Sequence, residues 1–164
     1  MRIGLGYDSH RFEEKLGKPL VLAGVGFSDL PGLKAHSDGD VVIHAVIDAL
    51  LGAAAQGDIG SHFPDTDEQW KGADSALLLA SVAKELAEAG YRLGNLDVTI
   101  ICERPRIRPQ VEAMRASLAS LLAGLLATVD RISVKGKTNE KMDDVGAGIG
   151  IEVKAVCLLE ESRS

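Results

Sequence analysis

The chain has 164 residues, of which 46% are hydrophobic and 26% charged, and its net charge is −6. This length and composition are typical of one globular domain, which we place at residues 1–164, and the negative charge argues against nucleic-acid binding through a basic patch. The sequence contains neither a signal-peptide pattern nor an apolar segment of membrane-spanning length, and we therefore expect a cytoplasmic protein without a membrane partner. Cys102 and Cys157 are far apart, and we expect both to be buried apolar side chains rather than a disulfide.

Two patterns identify the predicted elements. Strands have an apolar residue at every second position, and helices have apolar residues three and four apart. In chain order they are a strand at 2–7, a short strand at 18–25, a helix at 39–55, a helix at 74–89, a strand at 96–102, a helix from Pro109, and strands at 132–135 and 149–159. A polar loop at 56–73 is long enough to indicate a functional segment. The pattern predicts an α+β fold, a single two-layer domain in which a mixed sheet of about four main strands plus a short hairpin packs on three helices.

Acidic and histidine side chains occur at two places where the surrounding sequence is apolar. Asp8 and His10 follow the first strand, and their spacing of two directs both side chains to one face. His44 lies on the first helix, one turn after Asp40 and one turn before Asp48. Two imidazoles and one carboxylate, from Asp8, His10 and His44, suit a divalent metal ion with an open coordination position, and Asp48 is expected to orient the ring of His44. The alternative is that these are ordinary hydrogen-bonded polar residues and that Asp48 is exposed.

Polar residues directly before the first helix have the composition of a phosphate site. His36 and Ser37 can add donors to the free N–H groups of the helix N-terminus, which attract phosphate. The alternative is an ordinary capping segment with Ser37 or Asp38 as the N-cap. Gly4-x-Gly6 is not a dinucleotide fingerprint, because no third glycine and helix follow it.

A second polar segment, K-G-K-T-N-E at 135–140, follows a predicted strand. Its two cations, hydroxyl, amide and carboxylate suit a phosphate together with a magnesium ion, with Thr138 donating to the phosphate and Glu140 binding the metal. The segment lacks the glycine spacing of a P-loop, and ATP hydrolysis is therefore not predicted. The alternative is a solvated turn.

Taken in order, these segments closely resemble the 2-C-methyl-D-erythritol 2,4-cyclodiphosphate synthase family of the non-mevalonate isoprenoid pathway. The matching motifs are G-x-D-x-H at 6–10, A-H-S-D-G-D-x-x-x-H-A at 35–45, D-A-L-L-G-A-A at 48–54, G-D-I-G at 57–60, F-P-D-T-D at 63–67 and K-G-A-D-S at 71–75. Thr138 and Glu140 complete a match that extends over nearly the whole chain. One departure is that Ala147 and Ile149 replace the two charged residues of a G-R-G-E-G segment, whose arginine is associated with an isoprenoid diphosphate in many relatives.

The resemblance implies a cytidine-diphosphate substrate, 4-diphosphocytidyl-2-C-methyl-D-erythritol 2-phosphate, whose 2-phosphate attacks its β-phosphorus and expels CMP. It implies that Asp8, His10 and His44 bind zinc and that Glu140 binds magnesium or manganese. It also implies a homotrimer with each active site between two subunits.

By the same resemblance, His36 and Thr138 are the catalytic residues that position phosphates, and Asp58 binds the methylerythritol hydroxyls. Cytosine is expected beside the loop from Cys102 to Arg108. The substrate-binding residues implied are Asp8, His10, His36, Ser37, Asp58, Ile59, Gly60, Phe63, Pro64, Asp65, Thr66, Asp67, Cys102, Pro105, Arg106, Ile107, Arg108, Lys137, Thr138, Asn139 and Glu140. The residues themselves leave two rivals open: a zinc-dependent phosphate-ester hydrolase, and a metal-dependent nucleotide binder that performs no reaction.

Overall fold

The computed structural model describes residues 1–15, 17–64, 66–67, 70 and 72–161, and within these ranges it has six strands and five helices. The strands are β1 (Arg2–Arg11), β2 (Pro19–Leu22), β3 (Val25–Pro31), β4 (Tyr91–Ile101), β5 (Ile132–Lys137) and β6 (Gly150–Glu161). The helices are α1 (Val41–Ala54), α2 (Ile59–His62), α3 (Ser75–Glu88), α4 (Val111–Leu121) and α5 (Asp143–Gly146). The two short helices, α2 and α5, have four residues each.

Four of the strands form one mixed sheet in the order β1-β6-β4-β5, and β2 and β3 form a separate hairpin. Because β6 is antiparallel to both β1 and β4, and β5 is parallel to β4, the strands β1, β4 and β5 all run in the same direction. Their C-terminal ends therefore lie at one end of the sheet. The polar residues of β1 and the segments that follow β4 and β5 all lie at that end.

Helix α1 packs directly on β1, and two glycines make this contact possible. A Cβ atom at Gly6 would lie 1.9 Å from the carbonyl oxygen of Ala45, and one at Gly4 would lie 1.8 Å from that of Ala49. Any larger residue would push the helix away from the sheet, because these distances are far below van der Waals contact. The glycine pair in the sequence therefore serves helix–strand packing.

Asp40 is the N-cap of α1 and is completely buried. Its carboxylate accepts hydrogen bonds from two N–H groups in the first turn of α1 and from the N–H groups of Ala23 and Gly24 in the β2–β3 turn. The alternative with Ser37 or Asp38 as the cap is wrong, because only Asp40 can satisfy the helix and the hairpin together. This one side chain fixes the hairpin to the start of α1.

The α+β prediction with a four-stranded mixed sheet and a short hairpin is confirmed, and the differences are element boundaries and two four-residue helices, α2 and α5, beyond the three that were predicted. Strand β1 continues to Arg11, beyond the predicted end at Tyr7, because residues 8–11 pair with residues 153–150 of β6. The predicted strand at 18–25 is part of a hairpin, and the predicted loop at 56–73 contains α2. In the described ranges, none of the helices is both long and apolar enough to cross a bilayer.

Candidate active site

Asp8, His10 and His44 form a cluster in which one ligand atom from each side chain points to a common centre. Oδ2 of Asp8 lies 2.9 Å from Nδ1 of His44 and 3.1 Å from Nε2 of His10, and the two nitrogens are 3.4 Å apart. Zinc bonds of 2.0–2.1 Å place neighbouring ligand atoms of a tetrahedral site about 3.3 Å apart. The three separations are within a few tenths of an ångström of that value, and the donor set of two nitrogens and one oxygen suits zinc. The residues present therefore fit the ion.

The local sequence brings this cluster together through the packing of α1 on β1. Asp8 and His10 lie on the same face of β1 as Gly6, since side chains two residues apart share a face. The close contact at Gly6 brings Ala45 onto the strand, and His44, its neighbour in α1, then reaches Asp8. The predicted convergence of the three side chains is confirmed, and their role as ligands stays a prediction.

The carboxyl group of Asp8 is ready to act as an anionic ligand. Burial raises its pKa, but hydrogen bonds and charge interactions with His10 and His44 outweigh burial and hold the pKa well below the usual range. The pKa of Asp48 is raised instead. Burial raises it, the charges of Asp58 and Asp8 raise it further, and a hydrogen bond from the Ile59 N–H lowers it only in part.

The expectation that Asp48 orients the ring of His44 is wrong. The Asp48 carboxylate instead accepts the N–H of Ile59 at 2.8 Å, because α2 begins beside it and needs an acceptor. The Nε2 atom of His44 lies 2.9 Å from the hydroxyl of Ser75 and 3.1 Å from that of Ser37. Sequence reasoning missed Ser75 in this role, although it stands in the matched K-G-A-D-S motif.

A cleft of about 830 Å³ opens beside the cluster. Besides the cluster, the predicted site residues that line it are His36, Ser37, Ile59, Gly60 and Phe63. Sequence reasoning missed five further lining residues: Glu13, Lys34, Ala35, Trp70 and Leu78. Trp70 packs edge-on against Phe63 with ring centroids 5.0 Å apart. It is the single tryptophan of the sequence and stands in a polar loop, and of these missed residues it is the one that the sequence could have indicated.

The other described loop residues of the prediction, Asp58, Pro64, Thr66 and Asp67, do not line this cleft. Asp58 is exposed and caps α2, accepting hydrogen bonds from both the N–H and the hydroxyl of Ser61, which lower its pKa. Pro64 accepts the N–H of Asp67 at 3.0 Å, and Thr66 lies between them in the chain. The predicted residue Asp65 lies outside the described residues.

A second cleft of about 610 Å³ lies where β4 and β5 end. The predicted residues that line it are Cys102, Pro105, Arg106, Ile107, Arg108, Lys137 and Thr138. Two further predicted residues follow directly: the Asn139 N–H donates to Glu103 at 3.0 Å, and the Glu140 carboxylate accepts the Thr138 hydroxyl at 3.2 Å. Glu103, which sequence reasoning missed, therefore holds the turn that presents Glu140.

The two clefts lie at the same end of the sheet but at its opposite edges. The metal cluster stands on β1 and Thr138 follows β5, three strand spacings away, or about 14 Å. Glu140 is not in the Asp8, His10 and His44 cluster, within the ranges that the structure describes. The described part of the chain therefore has two separate clefts, one at each edge of the sheet.

The structure is that of an α+β protein with a triad of side chains that could hold a metal ion and two ligand-sized clefts at one end of its sheet. Sequence comparison then gives the particular family. Residues 1–160 match the YgbB family. The chain therefore belongs to the YgbB family.

Individual relatives agree over almost the full length. The chain is 51% identical over 160 residues to the 2-C-methyl-D-erythritol 2,4-cyclodiphosphate synthase of Alcanivorax borkumensis, covering 98% of this chain and 97% of the relative. A solved 2C-methyl-D-erythritol-2,4-cyclodiphosphate synthase in a CDP-bound form superimposes with a TM-score of 0.85 at 38% identity, covering 97% of this chain and 100% of that one. The bifunctional IspDF of Campylobacter jejuni gives a TM-score of 0.90 at 39% identity, covering 98% of this chain, which spans 42% of that longer protein.

Proposed function

We propose that this protein is a metal-dependent lyase that converts 4-diphosphocytidyl-2-C-methyl-D-erythritol 2-phosphate to 2-C-methyl-D-erythritol 2,4-cyclodiphosphate and CMP, in non-mevalonate isoprenoid precursor biosynthesis. The observation that carries the proposal is the convergence of Asp8, His10 and His44 on the wall of a cleft large enough for a sugar phosphate. The names of the relatives and the CDP bound in one solved relative support the same assignment.

The reaction is an intramolecular phosphoryl transfer. An oxygen of the 2-phosphate forms a bond to the β-phosphorus, the bond from that phosphorus to the oxygen bridging the α-phosphorus breaks, and this oxygen leaves with CMP. The attacking oxygen is already anionic, and no side chain has to remove a proton from it. The tasks of the protein are therefore alignment of the two phosphates and neutralisation of their charge.

Charge neutralisation needs cations, because the chain itself has a net charge of −6. When bound, a zinc ion held by Asp8, His10 and His44 and a magnesium or manganese ion held by Glu140 would act as Lewis acids on the diphosphate. Lys34, which pairs with the exposed Glu14 at 3.3 Å, adds a positive charge in the wall of the first cleft.

The side chains around the clefts divide the substrate between them. In the first cleft His36 and Ser37 bind and orient the 2-phosphate. Asp58, which lies outside the cleft lining, and the loop from Phe63 to Asp67, whose Phe63 belongs to that lining, bind the methylerythritol. In the second cleft Thr138 and Lys137 bind the α-phosphate. The groups from Cys102 to Arg108, in the same cleft, surround cytosine.

We further propose that the protein is a homotrimer in which the first cleft of one subunit meets the second cleft of its neighbour. The outer faces of β1 and β6 support this, because they expose a group of large apolar side chains that monomers rarely leave in water. Their exposed fractions are 74% for Ile3, 68% for Leu5, 49% for Tyr7 and 42% for Val156. Sedimentation velocity should give three times the chain mass, and Leu5→Asp should shift the mass to that of one chain.

Subunit mixing tests the shared site directly. His10→Ala damages the first cleft and Glu140→Gln the second, and each variant alone should be inactive. Co-refolded mixtures should regain activity, because some junctions then combine two undamaged clefts. Activity that stays absent in mixed trimers would place both clefts of one site in the same chain.

Product analysis tests the function itself. The protein is incubated with the substrate and magnesium, and the products are separated. Cyclic diphosphate and CMP in equal amounts are expected. Inorganic phosphate would identify a hydrolase, and unchanged substrate in the presence of bound zinc would identify a binding protein. The cytoplasmic location and the extent of the domain, 1–164, stay predictions.

A further inference from the structure

A buried serine contacts the ring of His44 on the side away from the metal cluster. Ser75 is the first residue of α3 and is completely buried. Its hydroxyl oxygen lies 2.9 Å from Nε2 of His44, on the side of the ring opposite to Nδ1, which faces Asp8 and His10. The serine therefore contacts the one ring nitrogen that does not point into the metal cluster.

Asp38 determines the direction of this hydrogen bond. Its carboxylate accepts the hydroxyl hydrogen of Ser75, and it also accepts the N–H of Ser75 at 3.1 Å. A hydroxyl group has a single hydrogen, and when that hydrogen is given to Asp38 the oxygen can only accept from Nε2 of His44. In the metal-free protein Nδ1 donates to the Asp8 carboxylate. When a metal ion is bound, the single hydrogen of the neutral His44 ring would be on Nε2, and the lone pair of Nδ1 would be free for the ion.

Backbone hydrogen bonds hold the partners in place. The N–H of Asp38 donates to the Ala73 carbonyl at 3.2 Å, and the N–H of Gly72 donates to the His36 carbonyl at 2.9 Å. The segment before α1 and the segment before α3 are thereby joined as a short ladder. Asp38 and Ser75 consequently keep their positions relative to His44 without help from a ligand.

We propose that Ser75 and Asp38 are positioning residues that fix the tautomer and the ring orientation of His44, and that the zinc affinity of the site depends on them. The inference rests on the proposed zinc site and adds to it residues that are not themselves ligands. Partners of this kind raise ligand basicity and lower the entropy of ring orientation, and their loss weakens metal affinity about 10- to 100-fold.

The same arrangement explains how Ser37 can serve the substrate. The hydroxyl of Ser37 is 3.1 Å from Nε2 of His44 and accepts the N–H of Gly39. Because Nε2 has only one hydrogen and Ser75 is oriented to accept it, the hydroxyl hydrogen of Ser37 stays available for a phosphate oxygen. Loss of Ser75 should therefore draw Ser37 towards His44.

The test is the zinc dissociation constant, measured by competition with a chromophoric chelator on wild type, Ser75→Ala, Asp38→Asn and the control Ser117→Ala. Ser117 is a half-buried serine on α4 that lines neither cleft and is not one of the cluster residues. Ser75→Ala and Asp38→Asn should bind zinc about 10- to 100-fold more weakly than wild type, and Ser117→Ala should match wild type. The absorption spectrum of Co²⁺-substituted protein should change in the first two variants only.

The outcomes separate this inference from the proposed function. Wild-type protein that binds no zinc would remove the metal site itself. The inference alone would be overturned, and the proposed zinc site kept, if wild-type protein binds zinc and the Ser75→Ala and Asp38→Asn proteins bind it within twofold as tightly with an unchanged cobalt spectrum. Thermal unfolding of the metal-free variants checks the fold, and if Ser75→Ala does not fold, Asp38→Asn, which keeps the serine, decides the question.

Discussion

Gly6→Ala tests whether the packing of α1 on β1 sets the geometry of the metal cluster. The new Cβ atom would lie 1.9 Å from the Ala45 carbonyl oxygen and 2.6 Å from the Ala49 nitrogen, and real Cβ atoms essentially never approach closer than 3.0 Å. The helix must therefore retreat by about 1.1 Å, because the obstructing atoms are backbone and no side chain can turn aside. Overpacking of this kind lowers the free energy of unfolding by about 1–3 kcal/mol.

The retreat also displaces His44, which is next to Ala45 in α1. A metal site tolerates errors of only about 0.2 Å in its ligand positions, and a shift of about an ångström should abolish tight zinc binding. The assay is zinc affinity by chelator competition, together with urea unfolding of the metal-free protein. Gly26→Ala is the matched control, because no described atom lies within 4 Å of its Cβ position. Gly6→Ala protein with the stability and zinc affinity of Gly26→Ala would show that this packing does not set the geometry of the metal cluster.

Three further predictions concern buried polar groups. Asp40→Ala leaves four N–H groups without their acceptor and should lower the free energy of urea unfolding of the metal-free protein by about 3 kcal/mol. The control Asp74→Ala removes an exposed helix cap and should lower it by about 1 kcal/mol. Equal losses in the two variants would contradict the role of Asp40. The folded-state pKa of Asp8 lies below its unfolded value of 3.8, and its ionised form therefore stabilises the metal-free protein above that pH and loses this effect as the pH falls. The free energy of unfolding should then fall more steeply from about pH 5 to pH 3 in wild type than in Asp8→Asn. Parallel plots of unfolding free energy against pH for the two proteins would contradict this role of Asp8. Burial raises the pKa of Cys102 to about 12 and that of Cys157 to about 11, and a thiol reagent at neutral pH should therefore label neither until the protein unfolds.

The elements and the cluster were predictable because they follow from short-range periodicity. The spacing of Asp8 and His10 fixes their common face wherever the strand ends, and His44 lies on an apolar helix that must pack on the sheet. The buried state of Cys102 and Cys157 follows equally from their apolar surroundings and is confirmed.

The partners of these residues were not predictable, because they depend on how separate elements dock. Ser75 reaches His44 only when the start of α3 lies against the segment before α1. Asp48 binds Ile59 instead of His44 because α2 forms inside a segment whose composition indicated a loop. Asp40 caps α1 because the β2–β3 turn needs the same acceptor, and nothing within α1 itself reveals that turn.

The origin of the product oxygens shows whether a substrate phosphate or water attacks the β-phosphorus. The reaction is run with substrate and magnesium in water enriched in oxygen-18, and the products are analysed by mass spectrometry. Intramolecular attack brings no solvent oxygen into either product, and the cyclic diphosphate and CMP should therefore both be unlabelled. A solvent oxygen-18 atom in released phosphate or in a linear phosphate product would contradict intramolecular attack and identify a hydrolase.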